Sequence, residues 1–548
     1  MARSEIAANQ GSDVISVRDY LERYLSLSSR LEKPPEVRLQ LISQAPLGNP
    51  AVGAVDIAAT SAFQCYSPGI SVMRPREEEK ALATATGTLE GGHHTTRLHT
   101  NYTFKLIGVT RSAVHDFFHY TPFYNTTQQS QRYVEAKAGN YQVPGGLSEQ
   151  QRRLFVDSAN FANEQYFTLL ENLHPVVEAR LRKMYPAGGE VAGKRLSEKG
   201  IKICQEVARY VLPIGQLTNF DHTLSELQLL RIFRASQMAH FTDEARYVVG
   251  QMINQVAKVD PSILTDLRKP PVPKETIGRG EEREEKYLTD QASEFDINLE
   301  GKLSKMEAPA DIRKVLIRAG RNILGIPSSQ ISDKEVLALM MDPKNNSWLA
   351  DVYETGMFDP LTSCLREVSL TYQTKLSHTA DSQRQRHRRT SGATPPITSL
   401  YRNGSADYVT PMVIREDSRL AEIYQQAMKK IYDNVSAAIE AGIPRQESLL
   451  LLPNAQTIRV TEQGDLLDWF HRWKQRLCLT AQEEIFFISL DQVDQLAEIL
   501  PEAGEMLLAP CGLRQKAEIK PRCPEGSRWC GQPVYNLGIN DYKDSRLV

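Results

Sequence analysis

At 548 residues the chain is too long for one hydrophobic core, so at least two domains are expected. Hydrophobic residues make up 41% and charged residues 24%, an ordinary balance for a soluble globular protein. A net charge of −2 excludes a global field that would draw nucleic acid or membrane, so any anion site must be local. No run approaches the roughly 18 to 20 apolar residues of a membrane helix. The opening Met-Ala-Arg-Ser-Glu-Ile lacks a signal peptide's apolar core, and the seven cysteines are sparse and odd in number. A cytoplasmic, reducing location is therefore expected.

In chain order, residues 1–40 are polar and read as an N-terminal extension with a short helix around Val17 to Leu27. Small and apolar residues from Ala54 to Tyr66 predict a helix that Ser67-Pro68-Gly69 ends. Gly91-Gly92-His93-His94 follows; its paired histidines have no Cys, Asp or Glu at ligand spacing, so no metal is expected there. Tyr102 to Val109 alternates as a strand. Thr126 to Tyr133 is dense in hydrogen-bond donors, with Ser130 and Arg132 two residues apart, a pair able to share one phosphate. Amphipathic helices are predicted over roughly 148–184, 199–212, 223–239 and 242–258.

Prolines and mixed charge between Asp266 and Tyr287 predict a linker, placed at 269–290 between a first domain at 41–268 and a second at 291–510. The plan then restarts. A strand at Val368 to Tyr372 leads into the basic run Gln383 to Ser391, and a helix covers Ser418 to Ala441. If Gln383 to Arg389 were helical, Arg386, His387 and Arg388 would step about 100° apart, so they cannot all face one way. Some of this charge must meet an anion or lie at a helix end. Pro213 precedes Glu244 by 31 residues and Pro453 precedes Glu484 by the same 31, the mark of an internal duplication. Cys511, Cys523 and Cys530 lie in a tail, 511–548, read as loose, because three cysteines without a nearby histidine do not complete a zinc site.

These strings resemble the flavin-dependent thymidylate synthase (ThyX) family. Ala62 to Pro68, Gly92-His93, Phe104 to Arg111, Gln128-Gln129-Ser130-Gln131-Arg132-Tyr133 and Glu206 to Pro213 look like family segments in family order. Arg386-His387-Arg388 with Ser391, and Arg476 followed by Ala481 to Ile485, look like later family segments in the second half. Each half lacks what the other keeps. His119-Tyr120-Thr121 and Ser236 stand where the first half would carry Arg-His-Arg and the uracil-facing arginine; Leu449 stands where the second would carry the counterpart of Arg209.

The resemblance implies two tandem α+β domains, each a small antiparallel sheet packed with helices. It also implies reductive methylation of dUMP, with carbon from methylenetetrahydrofolate, FAD as hydride carrier and NADPH as reductant. Ser130, Gln131, Arg132 and Arg209 would hold the nucleotide phosphate, and Gln383 the base. Arg476 would be the catalytic contact to the uracil carbonyl edge. His93, Arg386, His387, Arg388, Ser391 and His471 would hold FAD, and no metal is implied. Gln482 and Glu484 match the family helix, yet suit ordinary polar positions on an amphipathic helix equally well. Family members are homotetramers with active sites between subunits, so a duplicated chain is expected to form a homodimer that imitates the tetramer. Alternative readings are C5 modification of another pyrimidine nucleotide such as UMP, or a non-catalytic flavin- or nucleotide-binding scaffold. Nucleic-acid binding by the basic run is disfavoured, because no aromatics are interleaved with it.

Overall fold

A computed structural model describes residues 17–43, 53–64, 67–69, 77–119, 124–132, 134–185, 190–237, 241–267, 285–307, 311–402 and 404–546. Two four-stranded antiparallel sheets organise them. In the first, β1 (Glu36–Ser43), β2 (Asn101–Thr110), β3 (Asn125–Gln128) and β4 (Leu217–Ser225) lie in the order β1-β2-β4-β3. In the second, β5 (Ser304–Glu307), β6 (Ser369–Ser377), β7 (Ser391–Ala393) and β8 (Thr457–Asp465) repeat it as β5-β6-β8-β7. Alternation drives both. Tyr102, Phe104 and Leu106 of β2 are buried on one face, as are Leu370, Tyr372 and Leu376 of β6.

The two halves also share their fine structure. Thr110, ending β2, gives its N–H and hydroxyl to Glu244 (2.7 and 2.5 Å); Ser377, ending β6, does the same to Glu484 (2.6 and 2.5 Å). The halves meet across a local dyad. Ile214 N donates to Leu452 O and Asn454 N to Leu212 O, both at 2.8 Å, the second bond repeating the first after a constant shift along the chain. Flanking it, the long helix Glu149–Met184, opened by the Ser148 capping box, lies along Ser418–Glu440. Phe155, Tyr166 and Leu173 of one helix and Tyr424, Met428 and Val435 of the other enter a single apolar core. That shared core couples the domains, because neither helix could bury its apolar stripe alone.

Several expectations are corrected. The helix predicted over 223–239 is strand β4 up to Ser225, followed by helix Glu226–Ala235. Thr218, Phe220, His222 and Leu224 alternate inward, and Ser225 caps the helix by accepting from Gln228 N. Residues 17–43 are not an appendage to a domain starting at 41. Helix Val17–Ser26 packs on Asp243–Ala257, and β1 pairs with β2 across that boundary. The C-terminal tail is not loose, since Cys511, Leu513, Cys530, Val534 and Tyr542 are buried in the second-domain core. Of the expected linker, 268–284 lie outside the described residues. Helix Glu285–Asn298 belongs to the second domain, with Asp296 paired to Lys375 and Arg459.

Candidate active site

The second domain supplies one wall. Ser377 caps helix His378–Arg384 by accepting from Ala380 N, and the helix stops before the rest of the basic run. Arg384 is turned inward and committed to Asp381 (2.7 Å) and Glu462 (2.9 Å). The next residues leave the helix in turns, which exposes Arg386 and Arg388 and leaves His387 half-buried between them. Arg476, in the last turn of helix Leu466–Arg476, reaches this string. Its Nε donates to His387 Nε2 (2.8 Å), Nη1 to Gln383 Oε1 (2.8 Å) and Nη2 to Gln383 O (3.0 Å). Desolvation, followed by the charges of Arg476 and Arg472, holds His387 well below the usual histidine range. Its Nε2 is therefore free to accept, with the ring proton on Nδ1.

The first domain supplies the facing wall. Ser130, Gln131 and Arg132 form the turn after β3. Ser130 Oγ accepts from Arg132 N (3.2 Å), and Gln131 bridges Gln216 and Asn454, both at 3.4 Å. Arg132 pairs with Glu206 through Nε and donates from Nη2 to Thr480 O (2.5 Å), crossing to the second domain. Arg209 is buried in the turn Arg209–Val211, its Nε donating to Glu206 O (3.2 Å).

These walls form one cationic field. Burial, then Arg209 and Arg386, pushes Arg111 down to about 9; burial, then Arg472, Arg132 and Arg386, does the same to Arg476. Burial and the nearby Arg132 also lower Arg209. Glu206 resists its own desolvation and is held below the usual carboxylate range by Arg132, Arg209 and Arg546. Three donors on these walls, Arg111 Nε, Arg209 Nη2 and Gln383 Nε2, are buried without hydrogen-bond partners among the described residues. Buried donors normally find acceptors, so this set fits an anionic ligand that also carries a carbonyl.

The other expected residues are more scattered. Arg388 lies over the Tyr124 ring (4.9 Å) and reaches Asn125 Oδ1 (3.5 Å), so it also touches the first domain. Ser391 is exposed on β7. His471 is buried, its Nδ1 3.1 Å from Glu354, and close enough to His387 to oppose its protonation. His93 is exposed before the turn His94–Arg97, and among the described residues no hydrogen bond or ion pair joins it to Arg386, His387 or Arg388. Gln482 and Glu484 both bind the Tyr210 hydroxyl and cap neighbouring structure, so their roles here are structural. Sequence reasoning passed over Arg111, Glu206, Thr480 and Arg546. Arg111 and Glu206 were within reach, since one ends and the other begins a family-like string.

At the counterpart position in the opposite half, the groups differ. Asp116, in the place of Gln383, accepts from Thr242 N and Oγ1 (2.7 and 2.8 Å). Ser236, in the place of Arg476, meets the Tyr24 hydroxyl at 3.1 Å. Gly250 makes room for Tyr24, since a Cβ there would stand 2.8 Å from Tyr24 Cβ. A cavity of about 520 Å³ remains beside Tyr24, lined by Arg23, Arg30, Arg246 and Arg445 among others. Between the two positions lies a buried node. Asp381 Oδ2 is 2.7 Å from His119 Nε2, and one ligand atom each of His115, His378 and Asp381 lie within 4.8 Å of one another. Asp381 is already engaged by Arg384 and His119, so this cluster serves as an inter-domain hydrogen-bond hub.

A family model described as "Thymidylate synthase complementing protein" matches residues 51–262 and again 311–502. A flavin-dependent thymidylate synthase of Clostridium tetani is 27% identical over 41% of this chain and 85% of its own length. One from Nitratidesulfovibrio vulgaris is 25% identical over 42% of this chain and 85% of its own. A solved structure, the UMP/dUMP methylase PolB from Streptomyces cacaoi bound with 5-Br dUMP, is 19% identical with a TM-score of 0.30, over 43% of this chain and 94% of that one. The chain belongs to the thymidylate synthase complementing protein family, that of the flavin-dependent thymidylate synthases, and carries the family domain twice in tandem.

Proposed function

We propose that this member of the family methylates dUMP to dTMP at one hybrid site per chain, built from the first domain's Ser130, Gln131, Arg132 and Arg209 and the second domain's Gln383 and Arg476. The observation that carries this reading is the convergence of three unpartnered buried donors from both domains on a shared arginine cluster. Arg209 and Arg111, with Arg132 and the Ser130 hydroxyl, would hold the phosphate, since guanidinium forks match its oxygens. Binding phosphate would draw Arg132 away from Glu206. Gln383 Nε2 would donate to a uracil carbonyl while its Oε1 stays fixed by Arg476. Arg476 would then present positive charge to the base edge, favouring charge that develops there during reaction.

Arg386, Arg388 and Ser391, with His387, His471 and His93, would hold FAD; exposed guanidinium groups beside the Tyr124 ring suit a pyrophosphate and a stacked ring system. When bound, reduced flavin supplies the hydride, methylenetetrahydrofolate the carbon, and NADPH is the proposed reductant. A homodimer that imitates a tetramer would let a partner chain complete the flavin site, with His93, exposed before the turn His94–Arg97, as one group it could supply.

Turnover of dUMP and UMP by purified protein with FAD, methylenetetrahydrofolate and NADPH tests this. dTMP formation that Arg476→Ala abolishes is the expected result. Preference for UMP would move the activity to another pyrimidine nucleotide. No turnover of either, with flavin bound, would overturn the enzymatic reading in favour of a binding scaffold.

A further inference from the structure

The tail cysteines play no part in the site described above, and the fold brings them a fourth thiol. Cys478 follows Arg476 by two residues, at the turn before helix Glu483–Ile499. The tail folds back against this turn. Cys511 and Cys530 are buried in the same apolar core as Leu477 and Tyr542, and Cys523 and Leu479 pack against it. Cys511 lies in helix Pro510–Lys516, and the Tyr542 hydroxyl, which accepts from Ala509 N (3.0 Å), closes over that helix at Gly512. All four residues carry free thiols. Each of the six pairings among Cys478, Cys511, Cys523 and Cys530 is near enough for one thiol's charge to act on the other.

The loops around them suit sulfur ligands. Cys523-Pro524-Glu525-Gly526 and Cys530-Gly531-Gln532-Pro533 both turn tightly through a glycine in the left-handed region, at φ 55° for Gly526 and 86° for Gly531. Within its loop, the Cys523 sulfur accepts a backbone hydrogen bond from Glu525. From the first domain, Lys199 sets its ammonium against the Cys530 carbonyl (2.7 Å), within the field of Cys530 and Cys478. Four cysteines outside any disulfide, gathered where the tail meets the turn after Leu477, supply the soft donor set that a structural zinc takes. Among the described residues beyond helix Pro510–Lys516 the tail has only short turns of helix, so side-chain packing rather than backbone pairing holds it on the core.

We propose that Cys478, Cys511, Cys523 and Cys530 form a structural four-thiolate zinc site that staples the C-terminal tail to the turn following Arg476. Zinc would displace the four thiol protons to solvent, and Lys199 would offset part of the remaining negative charge. Among the described residues no three of these sulfurs lie within 4.8 Å of one another, whereas a zinc–thiolate tetrahedron has edges of about 3.8 Å. Binding therefore requires side-chain rotation at the cluster. Because Cys478 shares its turn with Thr480, which holds Arg132, zinc would also steady the inter-domain wall of the active site.

Metal analysis of the purified full-length chain tests this. One zinc per chain is expected, lost in Cys523→Ser and retained in His115→Asn. Cobalt substitution should give the intense visible bands of tetrahedral thiolate coordination, and thiol titration of wild type should show four cysteines that react only after chelation. That titration stands even where a serine variant fails to fold. No bound metal with four freely reactive thiols, or zinc lost in His115→Asn but kept in Cys523→Ser, would overturn the proposal. None of these readouts depends on dUMP turnover.

Discussion

Arg476 grips Gln383 at two points, Nη1 on the side-chain Oε1 at 2.8 Å and Nη2 on the backbone oxygen at 3.0 Å. Its Nε meanwhile holds His387. One planar guanidinium thus sets the Gln383 amide and the His387 ring together, a geometry that a single ammonium cannot reproduce. Arg476→Lys should lower dUMP turnover by about 100-fold or more, the usual scale for removing an electrostatic stabiliser. Flavin absorbance should be retained. Loss of the flavin bands instead would make Arg476 a scaffold for the cofactor rather than a contact to the base.

On the facing wall, Arg132 is shared between Glu206 and the Thr480 carbonyl. As a phosphate ligand, Arg132→Ala should weaken dUMP binding by about 10- to 100-fold, the worth of one charge-assisted hydrogen bond. Binding of deoxyuridine, which has no phosphate, should barely change. Equal losses for both, measured by calorimetry, would place Arg132 in the domain interface only.

Stability should carry a histidine-dependent pH signature. Burial, with Arg111 adding to it, pushes His378 down to about 4, so the folded chain holds the ring neutral while the unfolded chain protonates it below about 6.5. This contribution is complete above pH 6.5 and is lost as pH falls toward 4. Asp116 and Glu244, pushed up to about 7 by burial, act oppositely, since their protonated folded forms lose stability as pH rises from about 4 to 7. The His378 part is therefore read as a difference. Denaturant midpoints of His378→Gln should fall less than wild type between pH 6.5 and 4; parallel profiles would show that the ring does not titrate on unfolding.

The Tyr24 plug can be tested without any ligand. Tyr24→Phe removes only the bond to Ser236 and should cost about 1 kcal/mol. Gly250→Leu adds a side chain where a Cβ alone would stand 2.8 Å from Tyr24 Cβ. Relieving a helix-interior glycine gains about 0.8 kcal/mol, but overpacking costs about 1–3 kcal/mol, so the variant should be less stable by urea unfolding. A more stable Gly250→Leu would mean that the N-terminal helix readily lifts off this face.

Much of this was legible along the chain because it is local. Alternation marked β2 and β6, the matched Leu-Pro spacings marked the duplication, and the donor-rich string at Ser130 to Arg132 suggested phosphate. β4 was missed because its nine residues alternate with polar members, Thr218 and His222 among the buried ones, and run without a break into a capped helix. The N-terminal helix was set aside because nothing in its own composition reveals that Tyr24 fills the space beside Ser236.

By itself the sequence determined the tandem α+β plan, the family, and which half had kept which residue types. Tertiary structure decided what those residues meet. The dyad at Pro213 and Pro453 is a backbone pairing between segments hundreds of residues apart, and with the shared helical core it brings Arg132 within the field of Arg476. It likewise required the folded tail to bring Cys511, Cys523 and Cys530 into the core that Leu477, the neighbour of Cys478, enters. Periodicity records which way a side chain faces within its own element; which distant group it faces depends on how whole elements pack, and no local pattern carries that information.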